Sequence, residues 1–213
     1  PLVLQTADPQ RIDAWGIGLT SRLGQINLGH GQSIGGLGSE PRPVLGPLGG
    51  AALWRRRALD LAGGFCERYF LYWEDLDLAL RVNRDGFDCR TVPDAHVLHV
   101  GSGTVGRWSS RNVFYMTRNH WPCLLAALPG PLLRRHWGEF LLAPPRAAAL
   151  YAARGRPFAA LAGLACALPM LPAAYARRRR LPRTGTSANA AQRVAAHMAR
   201  ADAERLASRA RAP

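Results

Sequence analysis

Three acids, Glu74, Asp75 and Asp77, fall within four consecutive residues, and two histidines, His96 and His99, follow further along. Carboxylates and imidazoles accept protons and ligate metals, so this stretch is where chemistry is first sought. Glu74 and Asp75 occupy the first turn of an expected helix, where the dipole and the free backbone N–H groups favour the ionised carboxylate. A second candidate is Gly31-Gln32-Ser33-Ile34-Gly35, which has the spacing of a hydrolase nucleophile elbow. Such an elbow must pass directly from strand into helix. Gly35, Gly36, Gly38, Pro41 and Pro43 forbid that helix, and a serine hydrolase is set aside.

The elements around these residues follow from apolar spacing and breakers. Six glycines between Gly24 and Ser39 predict a mobile loop joining short extended pieces, with regular structure beginning near Val44. A small-residue strand is expected over Gly49–Trp54 and a short helix over Arg56–Ala62, stopped by Gly63-Gly64. The acids open a helix that runs through Leu76, Leu80 and Val82 to Gly86, with Asp77 and Arg81 as an i,i+4 surface pair. Strands are expected over Phe87–Val92 and Ala95–Val100, parted by Pro93-Asp94. Period two puts His99 and His96 on opposite faces, so they cannot serve one site. Helices over 109–128, 131–153 and 157–180 follow, broken at Pro129, Pro131 and around Gly155 and Pro157.

The 213 residues, 48% of them hydrophobic, suffice for a substantial core, so wholesale disorder is excluded. The four cysteines contain no Cys-x-x-Cys pair, which argues against structural zinc and suits reduced thiols in a cytosolic compartment. The chain opens on Pro1 without Met or a secretory signal and reads as the interior of a longer protein. All 28 basic residues are Arg. Residues 1–100 hold 10 Arg against 11 acids, and residues 101–213 hold 18 against 3, so only the second half is basic.

Four ordered blocks carry a resemblance. They are Gly49-Gly50-Ala51-Ala52-Leu53-Trp54-Arg55-Arg56, the run from Ala62 through Tyr72-Trp73-Glu74-Asp75 to Arg81, Val92-Pro93-Asp94-Ala95-His96-Val97-Leu98-His99, and Tyr115-Met116-Thr117-Arg118-Asn119. Together they resemble the acceptor half of inverting family-two glycosyltransferases, rhamnosyltransferase-like members especially. The usual Gly-Gly-Phe-Asp-Glu of that family has Cys66 in place of Asp here. The resemblance implies an α/β fold: a partial A-type glycosyltransferase domain with a mixed sheet, followed by C-terminal amphipathic helices. It implies Asp75 as the base that takes the proton of an acceptor hydroxyl, with Glu74 orienting the acceptor. It also implies a nucleotide-sugar donor, a lipid-linked or polysaccharide acceptor, and a divalent metal, manganese or magnesium, with His99 completing the metal shell. Gly49 and Gly50 match a turn that lets backbone approach the donor sugar, and Arg118 falls in the fourth block as a substrate-binding candidate. Tyr72 and Trp73 are suited to stacking on a sugar face and equally to packing in the core. Asp75-Leu76-Asp77 has the spacing of the metal-binding Asp-x-Asp of such enzymes, but that motif ends an apolar strand whereas these residues open a helix. No other Asp-x-Asp occurs, so the donor-binding half is expected to be missing.

Pro157–Ala176 contains no charge and is followed by Arg177–Arg180. Its five Leu and Phe residues supply only about −1.5 to −3 kcal/mol of insertion energy, so an interfacial helix on anionic lipid is expected rather than a membrane span. The resulting division is 1–128 for the acceptor-side domain, 129–180 for membrane-associating helices and 181–213 for an Ala/Arg-rich tail without a strong apolar stripe. The expected location is the cytoplasmic face of the cell membrane. The alternative is a non-catalytic basic fragment that binds membrane or nucleic acid. Residues 177–213 hold no Trp or Phe to interleave with the arginines, which argues against nucleic acid.

Overall fold

Strands of two to four residues build the N-terminal part, each too short to show a period. The structure, a computed structural model, describes residues 1–101, 106, 108–180 and 187–210. The central strand β1 (Leu2–Gln5) pairs antiparallel with β2 (Ile12–Ala14) and parallel with a late strand at His96–His99. A hairpin of β3 (Ile17–Leu19) and β4 (Gln25–Asn27) follows. Regular structure therefore begins well before Val44, and the expected glycine-rich loop contains β4 and one 3₁₀ turn at Ile34–Gly36. Ser33 caps that single turn by accepting from the Gly35 N–H at 3.3 Å, which is no nucleophile elbow.

β5 (Pro43–Val44) leads to a segment expected as a strand, but residues 49–54 form a turn and extended coil that pairs with nothing. Two glycines at its start and the outward Leu53 leave it neither a ladder partner nor an apolar face. Helix α1 (Arg56–Ala62) ends at Gly63, whose φ of 77° is the left-handed cap. Helix α2 (Glu74–Arg84) is buried along nearly its whole length, and Asp77 and Arg81 lie in the core rather than on the surface. Strands β6 (Cys89–Arg90) and β7 (His96–His99) pair with β5 and β1.

The basic half is helical. α3 (Ser110–Ala127) is capped by the Ser109 hydroxyl, which accepts from the Asn112 N–H. α4 (Gly130–Arg135) and α5 (Trp137–Ala153) divide at His136, and α6 (Pro157–Ala167) and α7 (Leu171–Arg180) divide at a 3₁₀ turn. α6 lies close on α3: a side chain at Gly163 would meet the Phe114 carbonyl and the Thr117 hydroxyl at 2.7 Å. The tail is not bare. α8 (Ser187–Ala210) buries Ala190, Ala191, Val194, Met198 and Ala201, a stripe made mainly of alanines. Val194 and Met198 join Ile17, Leu19, Leu76, Leu80, Leu124 and Leu128 in the main core. The fold is mixed α/β, a small mixed sheet with helices around it. Ser102 and Gly103, which follow His99, lie outside the described residues.

Candidate active site

A cavity of about 940 Å³ opens where the turn at 49–50, the start of α2, the end of β7 and the C-terminal half of α8 converge. Asp75 is 6% exposed at its edge. Its Oδ1 accepts from the Leu76 N–H at 2.7 Å and the Gln25 amide at 3.3 Å, and its Oδ2 from the Gly49 N–H at 3.4 Å. Burial pushes the Asp75 carboxyl above the ordinary carboxylate range, and these donors oppose the rise. Glu74 is pushed up to about 7 by burial and then by the Asp75 charge, and its Oε2 is buried without a partner. The helix start favours the ionised form of both acids, while desolvation acts against it and raises their proton affinity.

The backbone ahead of these acids is strained. Phe70, Tyr72 and Trp73 have φ of 61°, 63° and 72°, in the left-handed region that such residues rarely adopt. Asn119, fully buried on α3, holds the segment by donating to the carbonyls of Tyr69, Leu71 and Tyr72 at 2.8–2.9 Å. Arg118 donates to the carbonyls of Arg68 and Tyr69 and does not line the cavity, so it supports the loop from behind. Trp73 touches the cavity but is 2% exposed, stacks on His120 at 4.1 Å and donates its indole N–H to the Met116 carbonyl. It is a fixed wall, whereas Tyr72 is half-buried at the lining. Gly49 and Gly50 line the opening. A Cβ at Gly49 would sit 3.4 Å from Asp75 Cβ and 3.8 Å from both Asp75 Oδ2 and Glu74 Oε1.

His99 reaches the cavity from β7, while His96 is exposed on the opposite face, as the alternation required. His99 Nδ1 lies 2.6 Å from Asp13 Oδ2, and His30 Nδ1 lies 3.2 Å from Asp13 Oδ1. Among the described residues no three His, Cys, Asp or Glu side chains group to hold a metal ion. The contact with Asp13 uses Nδ1 and leaves Nε2 of His99 open, the arrangement of a histidine able to serve as one metal ligand, but the described residues supply no complete set, and no step below passes through a metal. Asp77 points away from Asp75: it takes Arg81 at 2.6 Å and Arg177 at 2.7 Å on Oδ2, so the two aspartates share no ligand.

The arrangement is a desolvated carboxylate beside a large open cavity, able to accept a proton from a bound hydroxyl. Among curated proteins the chain matches an N-acetylglucosaminyl-diphospho-decaprenol L-rhamnosyltransferase of Mycobacterium tuberculosis (strain CDC 1551 / Oshkosh), 46% identical over 66 residues. This chain is a partial homologue of a glycosyltransferase. The same identity over the same length holds for the protein of that description from strain ATCC 25618 / H37Rv. The match covers 31% of this chain and 22% of the relative. No family model matches the chain, and no solved structure matches it.

Asp13, Gln25, Trp108, Tyr151 and Arg205 also line the cavity and were not legible as site residues. Asp13 is one acid in a three-residue strand, and Arg205 is one arginine among many, so neither stands out by spacing.

Proposed function

We propose that the cavity is the acceptor side of an active site that transfers a sugar, with inversion, from a nucleotide sugar to a lipid-linked or polysaccharide acceptor. The observation that carries this reading is Asp75, a buried carboxylate of raised proton affinity held at the cavity edge. The acceptor oxygen attacks the anomeric carbon, and its proton passes to the Asp75 carboxylate. The bond from that carbon to the diphosphate breaks on the opposite face, and its electron pair leaves with the nucleoside diphosphate. A base works best when its proton affinity lies near the working pH, and desolvation moves Asp75 in that direction. Glu74, adjacent and titrating near neutrality, donates or accepts a hydrogen bond to orient the acceptor. Gly49 and Gly50 leave room for the ligand, and the rings of Trp108 and Tyr151, 5.7 Å apart, form an aromatic rim suited to a sugar face.

The 46% match over 66 residues to a mycobacterial rhamnosyltransferase and the four sequence blocks support this reading. In the same reading the donor-binding half lies outside the residues described, and a divalent metal would need ligands beyond His99 and Asp13. The reading extends to a location at the cytoplasmic membrane face, on which the exposed apolar side chains of α6 would rest. The test is Asp75→Asn in a protein that also carries the donor-binding half, assayed with a radiolabelled sugar donor. Transfer should fall by about 10³-fold or more with folding intact, the scale of general-base catalysis. Turnover within about tenfold of the parent would remove Asp75 as the base.

A further inference from the structure

The cavity is lined by four carboxylates, Asp13, Glu74, Asp75 and Glu204, and its walls would repel a phosphorylated ligand unless a fixed cation met it. Among the described lining residues Arg205 is the one Lys or Arg. It lies on α8, half-buried, and no hydrogen bond or ion pair between described residues engages its guanidinium. Its charge is not explained by the helix end either, since Arg209 holds the last turn and Arg205 precedes it.

The placement of α8 over the cavity is specified at several points. Asp202 accepts from the Ser21 N–H at 3.1 and 3.2 Å, and the Glu204 carboxylate accepts from the Gly29 N–H. Ala201 is fully buried against β3, where a Cβ on Gly18 would come within 2.9 Å of the Ala201 Cβ. At the other end Arg193 donates to the Phe87 carbonyl and pairs with Asp88 at 2.7 Å. The helix is thus fixed along the turns that lead up to Arg205, and Ser208, one turn further on, lines the same wall.

We infer that α8 is part of the site and that Arg205 binds a diphosphate group carried by the ligand. A guanidinium presents paired donors that match phosphate oxygens, and in this cavity no other Lys or Arg is described to meet them. The inference rests on the sugar-transfer reading only for the source of the diphosphate, which is the donor nucleotide or a lipid-linked acceptor.

Calorimetric titration tests it, with inorganic pyrophosphate, a nucleoside diphosphate and farnesyl diphosphate as probes. Arg205→Ala should weaken pyrophosphate at least about tenfold, Arg205→Lys should recover part of the loss, and Arg209→Ala should change nothing. Thermal melting of Arg205→Ala should match the parent, because no partner is lost. Loss in the nucleoside diphosphate arm alone assigns the donor, and loss in the farnesyl arm alone assigns the acceptor. Parent protein that binds none of the probes, or Arg205→Ala that binds them equally well, overturns the inference. Asp75→Asn separates it from the function proposed above. If that variant keeps transfer while Arg205→Ala loses pyrophosphate, the sugar-transfer base is wrong and the phosphate site stands.

Discussion

Asp75 and Asp77 are two positions apart, a rotation of about 200° around a helix, and their surroundings differ accordingly. Asp75 meets the cavity and neutral donors, while Asp77 is sealed between Arg81 and Arg177 with a hydrogen bond from the Tyr69 hydroxyl at 3.4 Å. Removing the charge of Asp77 leaves Arg81, itself fully buried, without its counter-ion. Asp77→Asn should therefore cost about 3–5 kcal/mol in urea unfolding, whereas Asp75→Asn should cost little. Equal effects would mean that the two environments are misassigned. Glu74 gives a pH signature. It binds its proton more tightly folded, at about 7, than at its ordinary value of 4.5, so folding takes up protons between those values. Stability should fall as pH rises from 4.5 through 7 and then level off. Glu74→Gln should melt above the parent at pH 8 and close to it at pH 4, and an advantage independent of pH would contradict the shift. The acids themselves could be found by sequence, because type and spacing suffice. Which of them faced solvent, core or cavity could not, since an i,i+4 Asp–Arg pair reads the same on either side of a helix.

The helices were legible as elements where Pro, Gly and apolar spacing mark them, as at Arg56–Ala62 and across the breaks near Pro129 and Pro157. β1 to β4 were not, because strands of three or four residues carry almost no period and their pairing is set by partners distant in sequence. α8 was missed for a different reason. Its buried stripe is mainly alanine, which burial and exposure both tolerate, and it is recognised only by the close seat that Gly18 provides. That seat supplies a test of docking. Ala201→Leu adds three carbons where the space is already closed and should cost about 1–3 kcal/mol. Limited proteolysis should then cut α8 first. Unchanged melting and protection would mean that α8 does not rest on β3.

Across the whole molecule large apolar side chains are exposed in both halves, Leu53 and Val100 in the first and Phe158 and Leu161 in the second. Pro157–Arg180 is, among the described residues, the one stretch long and apolar enough to cross a membrane, with mean hydropathy 1.7 and only 22% of its most apolar window buried. One face of α6 is tied to α3 through Ala160 and Gly163, while Phe158 and Leu161 on α6 and Leu168 beyond it are exposed. A spanning helix would have to leave α3, whereas the proposed attachment along a membrane surface would not. The arginines that follow contribute less than their number suggests. Arg177 is committed to Asp77, and Arg178 donates to the carbonyls of Leu125 and Leu128. Arg179 and Arg180 remain for lipid, about 2 kcal/mol in place of about 4, at roughly 1 kcal/mol each near an anionic surface. Binding to anionic vesicles should therefore be weak in charge and mainly apolar, declining only modestly with salt over a Debye length of about 8 Å. In co-sedimentation, Phe158→Ser with Leu161→Ser should release the protein from vesicles. Arg179→Ala with Arg180→Ala should reduce binding by about 30-fold at low salt and less at high salt. Arg177→Ala should act on folding rather than on lipid. Sedimentation insensitive to both the serine and the alanine pairs would mean that this face meets something other than a membrane.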